Sequence, residues 1–298
     1  MDTSHLRIGG AVCFWRLAKS TNLPKVKEGL TNLGLGEFTP EPKTPLSCLR
    51  AALDDAYSPP TKDERYVIRP IKNDVTGFAV VSERPKEHSD PGDDWGKVIA
   101  TAGLTEDGRL SLEPNEIGRY GAIKAGMEGA AEWLTAASVG KGLVDLVEHF
   151  GGVALRPTGG VYWLNDYALD QWASVSDIFE GASAHKDGEG ETTEPSKVYV
   201  LRVVADEQMV RAVGDALNIE VEAEIAKIEE ELAIGDLKPH VCVRRMEQAG
   251  RIEAKVRRYE RAFGEPMTKL TDAAKRAAEH AAMAALQASA AQVASVSV

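Results

Sequence analysis

The sequence predicts an α+β fold, in which a mixed or antiparallel sheet domain with packed helices is followed by a C-terminal, coiled-coil-like antiparallel helical hairpin. Three observations carry this expectation. Short β-branched and aromatic runs bounded by Gly, Pro, Asn and Asp recur as far as Val204, the pattern of strands joined by tight turns. Beyond Asp206 the apolar residues repeat at steps of three and four, which puts them on single helix faces. Charge there is segregated as well: 206–236 carries ten acidic and two basic residues, and 237–280 eleven basic and six acidic. Two antiparallel helices facing one another need that polarity. The expected divisions are 1–60, an N-terminal strand with two short helices; 61–205, the sheet domain with inserted helices and a mobile loop near 181–196; 206–264, the helical hairpin; and 265–298, an alanine-rich terminal helix with a frayed tail.

In chain order, Ile8 to Leu17 follows the β pattern and leads into Ser20 and Thr21, which read as helix caps. A helix is expected from Pro24 to Leu33, stopped by Gly34 and Gly36. A second follows Pro45, with Leu46, Leu49, Leu53 and Tyr57 on one face, and ends at Pro59 and Pro60. Strand signals then come in a row at Tyr66–Ile71, Gly77–Val81, Lys97–Ala102 and Arg109–Leu112. Asp107-Gly108 joins the last two as a hairpin turn, because a type I′ turn needs positive φ at both central positions. The polar, Pro-rich stretch between Glu83 and Trp95 reads as a surface loop.

Asn115 to Phe150 is helical in pattern, with Ile117, Ile123, Met127, Trp133, Leu134, Val139, Leu143, Leu146 and Val147 as candidate buried positions. Glycines at 121, 126, 129, 140 and 142 are too many for one rod, so two or three shorter helices, or close helix packing, are expected. Val153–Leu155 and Val161–Leu164 flank a Pro/Gly turn and form a hairpin, a helix covers Asp166–Glu180, and Lys197–Val204 resumes as a strand after the polar loop. In the last third, Val210, Val213, Leu217, Val221, Ile225, Ile228 and Leu232 make one helix stripe, and Ala249, Ile252, Val256, Tyr259 and Phe263 a second, narrower seam. Val221, Ile225, Ile228, Leu232, Ile252, Val256, Tyr259 and Phe263 are the candidate seam contacts. Across the turn, Glu229, Glu230 and Glu231 are expected near Arg244 and Arg245, and Glu222 and Glu224 nearer Arg251.

The 298 residues suggest about two domains at roughly 150 residues each, enough to bury a core without disulfides or metal. A net charge of −11 argues against extensive phosphate wrapping, though one basic strip can act locally. Cys13, Cys48 and Cys242 are widely spaced, so reduced thiols in a cytoplasmic protein are expected. The N-terminal stretch lacks the pattern of a signal peptide, and no apolar run is long enough to span a membrane.

Chemistry-bearing motifs fail on inspection. Ser138-Val139-Gly140-Lys141-Gly142 lacks the earlier glycine and the Ser or Thr of a phosphate-binding loop, and no Gly-x-Gly-x-x-Gly follows a strand. The six histidines have no pair at ligand spacing, and Gly181-Ala-Ser183-Ala-His185 lacks the final glycine of a nucleophile elbow. No cofactor or metal is therefore expected, and the reading favours a protein without catalytic activity. Two basic features are candidates for anion or nucleic-acid contact. Arg156 with Tyr162 could offer a cation and a stacking ring, and Arg69 and Arg84 repeat the Arg-Pro pair of Arg156-Pro157. The strip Arg244, Arg245, Arg251, Lys255 and Arg258, continued by Arg257 and Arg261, could track a phosphate backbone. Each has a structural counterpart: a packed hairpin in the first case, and charges answering the preceding acidic helix in the second.

The combination of FWRL, LTNLGLGEFTPEP and CLRAAL near the N-terminus, the ALRPTGGVYWL hairpin and the terminal KVRRYERAFG resembles an uncharacterised family of bacterial and phage proteins. The resemblance spans Val12 to about Phe263, leaving the alanine-rich tail unmatched. It implies a shared fold and a phage or mobile-element setting, and no catalytic residue. The expected function is that of a non-enzymatic assembly or interaction protein, binding itself as a homo-oligomer or binding a protein partner through the C-terminal helices. The alternatives are a nucleic-acid-associated protein using the basic helix 244–261 and the 156–163 hairpin, and an enzyme acting on an anionic substrate.

Overall fold

A computed structural model describes residues 8–58, 65–71, 77–83, 97–156, 160–183, 194–204, 206–234, 237–264 and 266–296. The chain opens with β1 (Ile8–Arg16), β2 (Ser20–Asn22), α1 (Leu23–Asn32) and α2 (Pro45–Ala56). An antiparallel meander follows, β3 (Arg65–Pro70), β4 (Gly77–Glu83), β5 (Lys97–Leu104) and β6 (Leu110–Glu113). Then come α3 (Ile117–Ala131), β7 (Trp133–Thr135), α4 (Ala136–His149), β8 (Val153–Ala154), β9 (Tyr162–Asn165), α5 (Leu169–Ser183) and β10 (Lys197–Val204). Three long helices finish the chain: α6 (Glu207–Ala233), α7 (Pro239–Phe263) and α8 (Thr268–Val296). The fold is α+β with antiparallel sheets, and the C-terminal helices α7 and α8 pack together.

Two compact units emerge from the contacts, one made of Met1–Arg16, Leu143–Asp177 and Lys197–Val298, the other of Leu17–Gly142 and Ile178–Ser196. In the second unit, Leu49, Ala52 and Leu53 of α2 and Ile123 of α3 pack with Ile68, Phe78, Val80, Ala100, Ala102 and Leu112 of the meander. Alternation along each strand puts those residues on one face. Two glycines of 115–150 have a packing cause: a Cβ would stand 3.1 Å from the Cβ of Ala52 at Gly126 and 2.7 Å from Pro40 Cγ at Gly142, whereas at Gly118, Gly121 and Gly129 it would meet nothing within 4 Å. The stretch divides into α3, the short β7 and α4. Ser20 and Thr21 do not cap a helix. They lie in β2, which pairs with β7, and the Asn22 side chain accepts from Lys25 N at 3.0 Å as the N-cap of α1. A hairpin forms here, but not with the expected type I′ turn on Asp107-Gly108: Gly108 N–H donates to Thr105 O at 2.8 Å, which puts Glu106-Asp107 at the centre of the turn, and Gly108, at φ 78°, is the left-handed residue that follows.

In the first unit the sheet order is β10-β1-β9-β8. Its central strand β1 is buried on both faces. Val12, opposite Trp163, packs toward the core shared with α6, α7 and α8. Ala11 and Cys13 point the other way and are fully buried. On that side Trp15 stacks on Tyr162 with ring centroids 5.0 Å apart and meets Trp172 of α5. Strands covered on both faces lose the in–out alternation of a surface strand, which is why β9 is buried at all four positions.

The three terminal helices share one apolar core. Met209, Val213, Leu217, Val221, Ile225 and Ile228 of α6 meet Ala249, Ile252, Val256 and Tyr259 of α7 and Leu270, Ala274 and Ala277 of α8, together with Val153 and Trp163. The α7–α8 turn is made by Gly264, left-handed at φ 71°, whose N–H donates to Glu260 O at 2.8 Å. The Glu260 carboxylate then accepts from Met267 N at 2.7 Å, holding the start of α8. Alanines at 274, 277 and 281, all fully buried, let α8 run close along α7.

Candidate functional site

The seam residues singled out by spacing are all brought together, inside the molecule. Val221, Ile225, Ile228, Ile252, Val256 and Tyr259 are buried, and Leu232 and Phe263 pack at the edge of the same core. Tyr259 also anchors the bundle to the sheet side of its unit: its hydroxyl donates to Gly151 O at 2.9 Å, and its ring lies 5.6 Å from that of Phe263. Burial pushes the Tyr259 phenol well above its ordinary value, so it is a neutral structural donor. The seam is therefore spent on the chain's own fold, and a partner that binds these helices meets their outer faces.

The basic strip divides in the same way. Arg245 donates from Nε to Glu231 at 2.6 Å and from Nη1 to Gln248 at 2.7 Å, and Lys255 pairs with Glu220. Both cations are largely buried and answer the acidic helix across the turn, as the charge segregation predicts. Arg257 pairs with Glu253 on its own helix at 2.6 Å. Arg258 lies half-buried against Gly151, where a Cβ would stand 3.2 Å from its Nη1. Arg244 and Arg251, seven residues apart, are exposed. Around Lys255 the carboxylates outnumber the cations. Burial and the neighbouring Glu220 raise the Glu224 carboxyl, against Lys255, Gln248 and Arg251. Burial, eased by Lys255, also raises Glu148 at the end of α4.

Tyr162 is buried against Trp15 and presents no ring to a ligand. β9 is covered on both faces, so Tyr162 and Trp163 are each consumed by packing on opposite sides. Arg156 is exposed in one unit and Arg69 is exposed in the other; Arg84, the turn 157–159 and the polar stretch 184–193 lie outside the described residues. Ser183 is buried and bonded twice, accepting from Ser196 N at 2.8 Å and donating to Glu180 O at 2.9 Å. Cys13, Cys48 and Cys242 are unpaired and buried, and burial pushes the Cys13 thiol up to about 12, so it stays protonated. Among the described residues no three His, Cys, Asp or Glu side chains gather as a metal site, and no helix is long and apolar enough to cross a membrane.

What spacing did not single out is the outer apolar surface of the helices. Val243 and Met246 of α7 and Met283 and Leu286 of α8 are exposed, the last two at 59% and 72%. Counted from the α7–α8 turn, Met246 and Met283 both lie about 25 Å along their helices at 1.5 Å per residue. These side chains are thus at one level of the hairpin, far from its turn. At its other end an open groove of ≈ 550 Å³ between the starts of α6 and α8 holds Glu207, Arg211, Asp215 and Lys269, a mixture of opposite charges.

The chain belongs to a family of unknown function (DUF6744), which matches residues 9–292. That match includes most of the alanine-rich helix, which the quoted motifs left unmatched, in keeping with its place in the shared core. No curated protein and no solved structure matches the chain.

Proposed function

We propose that this is a non-enzymatic interaction protein that binds another copy or a protein partner through the outward faces of its C-terminal helices, in the cytoplasmic setting of a phage or mobile element. The observation that carries this reading is the exposed apolar group Val243, Met246, Met283 and Leu286. Large apolar side chains exposed on a helical surface lose water-contacting area when covered, at about 25 cal/mol per Å². The buried seam supports the reading indirectly, because it makes the helices a rigid platform with the remaining apolar side chains turned outward. Arg244 and Arg251 supply the observation that favours a second reading, contact with nucleic acid along α7.

Light scattering and co-purification with the full chain and with a Met283→Glu/Leu286→Glu variant test the first reading. Both positions are exposed, so the variant is expected to fold and to lose its partner or self-association. Unchanged association in the double variant counts against the helix surface, and a salt-sensitive shift of an oligonucleotide that Arg244→Ala/Arg251→Ala abolishes would favour the second reading instead.

A further inference from the structure

The exposed charges of α6 and α7 are ordered along their helices. On α6, Ile219, Glu222, Ala226 and Glu229 follow one another at steps of three and four, so they share a face, and all four are exposed, Ile219 at 60%. On α7, Arg244, Glu247, Arg251 and Ala254 repeat the same steps and are exposed as well. Among the described residues none of Glu222, Glu229, Arg244 and Arg251 stands in an ion pair. Arg251 is the last and smallest of the groups that act on Glu224.

The ion pairs inside one copy set the levels. Glu220 pairs with Lys255 and Glu231 with Arg245. Counting from them at 1.5 Å per residue, Glu222 lies within about 4 Å of the level of Arg251, and Glu229 within about 4 Å of that of Arg244. Ile219 is matched in the same way with Ala254, and Ala226 with Glu247. The matched charges stay apart within one copy because Glu222 and Glu229 are each two positions from a paired acid, nearly opposite it around α6. We propose that two copies of this chain pair side by side about a two-fold axis parallel to these helices, α6 of each against α7 of the other. Rotation about such an axis changes no residue's level, so every match made within one copy is kept between copies, and each is made twice. Glu222 meets the partner's Arg251, Glu229 the partner's Arg244, and Ile219 loses water against the partner's Ala254. Exposed ion pairs are weak singly, so the four of them choose the partner and its register. A second copy is the fitting occupant because opposite charges at equal spacing occur on this chain's own two helices. The series stops there: Arg258, the next arginine at the same step, is half-buried against Gly151.

Sedimentation of the full chain at several ionic strengths tests the proposal, which rests on the reading that the outward helix faces bind and names their occupant. The expected result is a dimer that weakens as salt rises. Arg244→Glu/Arg251→Glu and Glu222→Lys/Glu229→Lys are each expected to raise its dissociation constant at least about tenfold with unchanged circular dichroism. Mixed together, the two reversed variants are expected to form a heterodimer, because each then offers the charge the other lacks. Should one of them disturb folding, the other alone carries the test. A monomer at every concentration reached, a dimer that a folded reversed variant leaves unchanged, no heterodimer from two folded variants, or a dimer lost on nuclease treatment overturns the proposal. A dimer lost only in Met283→Glu/Leu286→Glu overturns it too, while the helix reading stands. Association unchanged in that variant and in both reversed variants removes the two together.

Discussion

At the scale of single residues, Tyr259 joins the bundle to the loop after α4. Its hydroxyl satisfies Gly151 O in a region closed to water, and the Asn165 carboxamide stands beside it with its Nδ2 unpartnered. Tyr259→Phe keeps the ring and removes the donor, leaving the buried Gly151 carbonyl without that partner. The expected loss is about 1–3 kcal/mol, read from the midpoint of urea unfolding; a change within error would show that water replaces the hydroxyl. Tyr259 was legible in the sequence as a seam residue, because its spacing from Val256 and Phe263 is a heptad step. Its hydrogen bond was not, since Gly151 is 108 positions away and no local pattern records that approach. Tyr162 shows the opposite limit. An aromatic beside a Gly-rich turn fits a binding hairpin or a packed strand equally well, and only the cover on both sheet faces decides between them.

At the scale of elements, α6 and α7 are matched by charge as well as by shape, and the pairs differ in burial. Arg245 and Glu231 are largely buried, whereas Arg257 is more than half exposed beside Glu253. Arg245→Ala strands a buried carboxylate and Gln248 and is expected to cost about 1.5–3 kcal/mol, while Arg257→Ala is expected to cost about 0.5 kcal/mol or less. Equal losses in thermal or chemical unfolding would remove this distinction. Glu224 introduces a pH dependence of known sign. Its carboxyl is raised in the fold, so its contribution is fully present below the ordinary carboxylate range and is lost as pH rises through the raised value. Lowering the pH from neutral should therefore stabilise the natural chain relative to Glu224→Gln, a trend that a series of urea midpoints would display. A constant difference between the two across pH would exclude it. Long periodic helices were legible because one face repeats over seven turns. The alanine seam of α8 was readable too, since Leu270, Ala274, Ala277 and Ala281 recur at 4, 3 and 4, but an expectation weighted toward large side chains passes over it. Three-residue strands such as β2 and β7 are too short for any period to show.

At the scale of the whole molecule, the −11 net charge averages over opposed segments, and the pairs Glu231–Arg245 and Glu220–Lys255 between them are largely buried in the bundle. Partner choice is thus better judged from what stays outside it, the exposed apolar side chains of α7 and α8. The pairing of β1 with β10 also has a consequence in time. Ile8 is matched with Val204, so the central strand of that sheet leaves the ribosome long before its neighbour exists. At typical synthesis rates the wait is about 10–40 s. By its end the meander β3–β6 and its helices have emerged, while Val12, Phe14 and Trp15 still have no β10 beside them. The meander can therefore close on its own strands first, and the sheet that holds β1 is completed only after β10 emerges.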